Sequence, residues 1–155
     1  MVLELSASRT YPVPVERAYD VVLPTPLPEL FCRRYAAVPA IREVRDQQGT
    51  WGTLGQTRTI RLADGGSLRE TLTSLDRPHS FGYQLTDVRG PMRPLATAID
   101  GRWTFDPAGD GVRITWSWRV HPRGLVGRAA MPVFARMWRG YARQALEEIE
   151  RVLVG

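Results

Sequence analysis

At 155 residues the chain has room for one domain with its own core, and not comfortably for two. Hydrophobic residues make up 43% of it, which argues against disorder, and no run approaches the ~20 apolar residues that span a bilayer. A net charge of +5 raises a nucleic-acid reading, but the 21 basic residues are all arginines scattered along the chain.

Lysine and asparagine are both absent. Their codons are A-rich, so a GC-rich gene explains the bias without any partner, and no nucleic acid is expected. Residues 1–10 lack the basic start and apolar run of a secretory signal, which makes a cytoplasmic location the expectation. The single cysteine, Cys32, excludes an intrachain disulfide and a thiolate metal cluster. Arg33 and Arg34 beside it would suit a reactive thiol. The plainer expectation is a small, half-buried residue ending a short helix.

Residues 2–11 alternate weakly and read as a strand, ended by Pro12 and Pro14 because proline removes a ladder donor. Val15, Ala18, Tyr19 and Val22 then fall at helical spacing, with Pro14 and Glu16 suited to the first turn. Thr25 before Pro26 resembles a helix cap, and Leu27, Leu30 and Phe31 supply the face of a second short helix. From Val38 the period becomes two. Residues 41–45 form a candidate strand. Leu54, Ile60 and Leu62 share one parity, and Gln56, Arg58, Glu70 and Leu72 follow it. Ala63-Asp64-Gly65-Gly66 is a hairpin turn.

Phe81, Tyr83 and Leu85 continue the apolar face after a turn at Arg77-Pro78-His79. Residues 87–94 read as a mobile loop. Leu95, Ile99, Trp103 and Phe105 alternate along a long strand, with Gly101 in its middle as a candidate bend. Val112, Ile114, Trp116, Trp118 and Val120 form the cleanest period-two run. From Gly124 the period returns to 3.6: Phe134, Trp138, Tyr141, Ala145, Ile149 and Val152 make one stripe. Pro132 is expected to start this helix or to kink an earlier turn. The order is strand, two short helices, about six more strands and a long final helix, with no repeat and no linker. That is an α+β fold: a curved antiparallel sheet of about seven strands with its apolar side covered by the helix.

Periodicity alone leaves open whether Trp103, Trp116, Trp118 and Trp138 fill the space between sheet and helix or wall a cavity. Several local patterns bear on this. They are the opening Val13-Pro14-Val15-Glu16-Arg17-Ala18-Tyr19, Gly52 to Gly55 before a basic strand, Glu70 in the next strand, and Gly101-Arg102-Trp103-Thr104-Phe105. Gly109-Asp110-Gly111 before Ile114-Thr115-Trp116 and the aromatic-striped last helix complete the set. In this order they resemble the START-like, or SRPBCC, superfamily with the helix-grip fold, and within it the polyketide cyclase/dehydrase and lipid-transport group. The resemblance spans nearly the whole chain. It implies a single ligand-binding domain over residues 1–155, with a cavity between sheet and last helix for lipids, sterols, polyketides or similar apolar molecules. It implies no single chemistry, and no catalytic residue is carried over.

The candidate ligand-binding residues are therefore Arg58, Glu70, Tyr83, Trp103, Trp116, Trp118, Phe134, Trp138 and Tyr141. Arg58 and Glu70 share the inward parity and meet diagonally across the hairpin. Buried and unpaired they would cost several kcal/mol, so they either fix a polar ligand group or form a salt bridge where the parity slips at the sheet edge. His79 and His121 read as surface residues, and no metal-binding spacing or cofactor motif appears. The leading expectation is a binding module for a small apolar ligand, gated by residues 87–94 and the second helix, with a homodimer left open. The rival is an aromatase/cyclase or dehydratase in which Glu70 or Tyr83 moves a proton. A third reading, a nucleic-acid-associated or toxin-like regulator, rests on charge alone.

Overall fold

The computed structural model describes all 155 residues. Strand β1 (Leu3–Tyr11) is followed by helices α1 (Val15–Val22) and α2 (Leu27–Leu30), then strands β2 (Ile41–Arg45), β3 (Thr57–Leu62), β4 (Ser67–Asp76), β5 (Ser80–Arg89), β6 (Ala96–Ala108) and β7 (Gly111–Pro122), and finally helix α3 (Gly124–Val154). The sheet order is β1-β7-β6-β5-β4-β3-β2, antiparallel throughout. A meander of hairpins builds β2 to β7, and β1 returns to pair with β7, Leu3 opposite Val120 and Tyr11 opposite Val112. This is the helix-grip arrangement that the sequence patterns imply.

Inward and outward residues alternate as the sequence parity requires. Along β7, Val112, Ile114, Trp116, Trp118 and Val120 are buried. Ladder shifts between Ile41 and Glu43, Ser67 and Arg69, Leu72 and Ser74, and Ala96 and Ala98 add bulges, which bend and twist a sheet. Helix α3 lies across the concave side and is tied to β1 by Tyr11 Oη donating to the Leu146 carbonyl at 2.6 Å and by an Arg9–Glu150 ion pair at 3.1 Å. The buried hydrophobic residues form one cluster of 36, so sheet and helices share a core.

Several local expectations are corrected. Helix α3 runs unbroken from Gly124 through Pro132, which stands exposed on its outer side. There the Arg128 carbonyl that loses its helical donor can meet water, so the proline is tolerated. The α3 stripe ends on Leu153, 3% exposed, while Val152 is only half-buried. Thr25 does not cap α2. Its hydroxyl donates back to the Val21 carbonyl at 2.6 Å, and Pro26 takes the cap position.

Leu54 leaves the inward parity because β3 begins only at Thr57, and its side chain is 61% exposed. Residues 87–89 belong to β5, with Asp87 at a positive φ of 49° beside the bulge. The remaining turn is pinned where Arg123 Nε donates to the Arg93 carbonyl at 2.6 Å. Leu95 falls in that turn, before β6 begins. Gly101 carries no bulge: it stays in register opposite Trp118 and Tyr83, and its missing side chain leaves room for the Tyr83 ring. Cys32 is exposed rather than half-buried.

Candidate ligand site

Between the concave sheet, α2 and α3 lies a cavity of about 80 Å³. Eight of the nine residues selected from the sequence line it: Arg58, Glu70, Tyr83, Trp103, Trp116, Trp118, Phe134 and Tyr141. Trp138 does not. It is fully buried behind Trp116, rings stacked at 4.9 Å, with its indole N–H unpaired. The other side of the cavity comes from residues that periodicity did not single out as walls, including Leu27, Val38 and Met92. They sit in short or irregular segments, where no repeating pattern marks the inward side.

The void is smaller than the ligand-sized space the resemblance implies, which is roughly 300–1,000 Å³. The cause is visible in the aromatic packing. Trp103 stacks on Trp116 at 5.4 Å, and Phe31 lies 5.1 Å from Trp116 and 5.6 Å from Tyr141. The two alternatives left open by periodicity are thus both partly realised. The indoles fill most of the interior, and a small apolar pocket remains beside them.

Arg58 and Glu70 stand directly opposite one another across β3 and β4, not diagonally, because the hairpin register pairs them. No parity slip occurs. Both side chains are 4% exposed, and Arg58 Nε donates to Glu70 Oε1 at 2.7 Å. The guanidinium has two further contacts: Nη1 donates to Gln47 Oε1 at 3.2 Å, and the group lies 3.8 Å above the Trp51 ring. Trp51 and Gln47 were not anticipated. The visible signal is a tryptophan between Gly49 and Gly52 just before a strand carrying a buried arginine. Gln56 holds that turn, accepting from the amides of Gly52 and Thr53, both at 2.9 Å, so it does not reach the cavity. Burial raises the Glu70 carboxyl above the usual carboxylate range, and the attraction of Arg58 only partly opposes this.

Tyr83 occupies the middle of the wall. Its ring covers Gly101, where an added Cβ would stand 2.0 Å from the ring. Its phenol oxygen accepts two indole N–H groups, Trp116 at 2.7 Å and Trp118 at 2.9 Å. Burial first, then the nearby Glu70 charge, pushes its ionisation to higher pH, so the phenol stays protonated. The site therefore combines hydrocarbon walls with one neutralised ion pair and one neutral hydroxyl. His79 is exposed, and His121 pairs with Asp100 at 2.9 Å at the far end of β6 and β7. No three His, Cys, Asp or Glu side chains converge on one point, and no helix is long and apolar enough to cross a membrane.

Solved structures of the same architecture cover essentially the whole chain. Ara h 8.0201 aligns over 100% of both chains at 17% identity, TM-score 0.69. The ginseng major latex-like protein 151 from Panax ginseng aligns over 100% of this chain and 99% of its own at 12% identity, TM-score 0.74. A Mesorhizobium loti protein aligns over 98% and 97% at 15% identity, TM-score 0.67. At these identities the likeness establishes the fold alone. No curated protein matches the sequence. Residues 2–154, by contrast, match one sequence family along their full length. The chain belongs to the polyketide cyclase/dehydrase and lipid transport family.

Proposed function

We propose that residues 1–155 act as a single START-like domain that binds a small hydrophobic molecule between the sheet and α3. The observation that carries this reading is the composition of the cavity. Of its 23 lining residues 19 are hydrophobic, so a ligand entering it exchanges water for hydrocarbon on nearly every side. At about 25 cal/mol per Å² a modest apolar ligand gains enough for micromolar binding without any catalytic group. Arg58, Glu70 and Tyr83 supply its polar end, and Trp103, Trp116, Trp118, Phe134 and Tyr141 its walls. Trp138 supports Trp116 from behind. Admission requires the pocket to widen, and α2 with the turn at residues 90–95 forms the gate, since Leu27, Leu30 and Met92 border the void.

Native mass spectrometry of freshly purified protein tests this directly. A co-purified apolar molecule, released intact on denaturation, supports it. A bare mass, together with no uptake of added fatty acids, sterols or aromatic ketones, overturns it. One observation favours a second reading. Glu70, raised by burial, faces an apolar cavity as a general acid or base would, so the same site suits a cyclase or dehydratase. Product formation abolished in Glu70→Gln while ligand affinity persists would select the enzyme.

A further inference from the structure

The hydrogen bonds at Tyr83 are directional, and their direction is not a matter of assignment. An indole nitrogen can only donate, so Trp116 and Trp118 both give their protons to the phenol oxygen. With its acceptor capacity used twice, the hydroxyl has only its own proton left to offer. No protein acceptor lies within hydrogen-bond reach of that proton, although Tyr83 is 7% exposed. A buried donor without a partner is costly, and buried polar groups are nearly always paired. Tyr83, Trp116 and Trp118 all line the cavity, so a bound molecule there can supply the acceptor.

The neighbouring charges narrow the chemistry of that acceptor. Glu70 and Arg58 both act on the Tyr83 phenol, with opposite sign and as a bonded pair. Arg58 is committed to Glu70 through Nε, donates to Gln47 through Nη1 and faces the Trp51 ring, so its charge is already spent on a partner. A carboxylate or phosphate oxygen brought to Tyr83 would leave water for an apolar cavity whose one cation is already paired with Glu70. A neutral oxygen meets no such penalty. The two indole donors also polarise the phenol along the chain of hydrogen bonds, which strengthens the bond it gives.

We infer that the cavity selects molecules with an uncharged carbonyl oxygen, a ketone, aldehyde, ester or quinone, which accepts the hydrogen bond of Tyr83 while the hydrocarbon remainder lies against the aromatic walls. The inference rests on the binding reading above and makes it more specific. It separates carbonyl compounds both from plain hydrocarbons and from free fatty acids.

Three probes of one shape test it: acetophenone, its olefin isostere α-methylstyrene, and benzoate. Isothermal titration calorimetry should show acetophenone bound roughly tenfold more tightly than α-methylstyrene, the effect of one net hydrogen bond. Benzoate should bind more weakly than either. In Tyr83→Phe the ketone-to-olefin ratio should fall to about one, with olefin binding retained. Because that variant leaves two indole N–H groups unpaired and can lose stability, the wild-type protein supplies a second readout. The infrared carbonyl band of 13C-labelled acetophenone should move to lower frequency on binding. Equal binding of ketone and olefin, a carbonyl band at its free position, or benzoate binding as tightly as the ketone overturns the inference while leaving hydrophobic binding standing. If neither acetophenone nor the olefin binds, both readings fall together.

Discussion

The Arg58–Glu70 pair shows what burial does to charge in this molecule. Each group alone would be expensive in the interior, and together they are tolerable because they pair directly and the guanidinium also meets Gln47 and the Trp51 ring. Arg58→Ala is expected to cost about 3 kcal/mol in urea unfolding, since it strands the carboxyl. The double variant Arg58→Met with Glu70→Leu should regain most of that loss.

Glu70 also gives a pH signature whose sign is fixed by its raised pKa. A carboxyl raised in the folded state holds its proton more firmly there than in the unfolded chain. Its contribution is therefore fully present below the ordinary value of 4.5 and is lost as pH rises through the raised one. Comparison of wild type with Glu70→Gln from about pH 4 to about pH 8 isolates it. The stability of wild type relative to the variant should decline with rising pH, and a rising difference would contradict the assignment.

The elements were legible wherever side chains repeat. The strong alternation of β7 and the 3.6-residue stripe of α3 located the two faces that enclose the cavity, which is why eight of nine candidate residues meet there. Trp138 falls on the same stripe yet points behind its neighbour, a difference of rotation that spacing cannot resolve. Short, irregular stretches were opaque: the buried Trp51 and the half-buried Val38 and Met92 owe their places to long-range packing, not to any local period.

Gly140 illustrates the point. It sits inside the continuous α3, where a glycine is a poor helix former, but a Cβ there would stand 2.1 Å from the Tyr35 ring, so the glycine is what lets residues 31–40 lie on the helix. Gly140→Ala should improve helix propensity by about 1 kcal/mol and still lower stability, with faster amide exchange across residues 31–40. In a Tyr35→Ala background the same substitution should become stabilising. A change of sign between the two backgrounds, read from unfolding midpoints, is the decisive result.

At the scale of the whole molecule, a void of about 80 Å³ couples binding to motion. It is smaller than the roughly 150 Å³ that admits benzene into an engineered core. A ligand must therefore wait for the cover to open, and opening sets the pace. In stopped-flow tryptophan fluorescence the observed rate should level off as ligand concentration rises, and the plateau should be shared by ligands of different affinity. A rate that climbs in strict proportion to concentration would mean that the closed pocket already admits them.

The pairing of β1 with β7 carries a consequence for synthesis. Leu3 is synthesised well before its partner Val120, with more than a hundred residues between them. Throughout that interval β1 waits alone and β6 presents a bare edge. Nascent chains stalled before residue 111 are accordingly the form of this protein most in need of a chaperone, and the form most prone to join a neighbour's sheet.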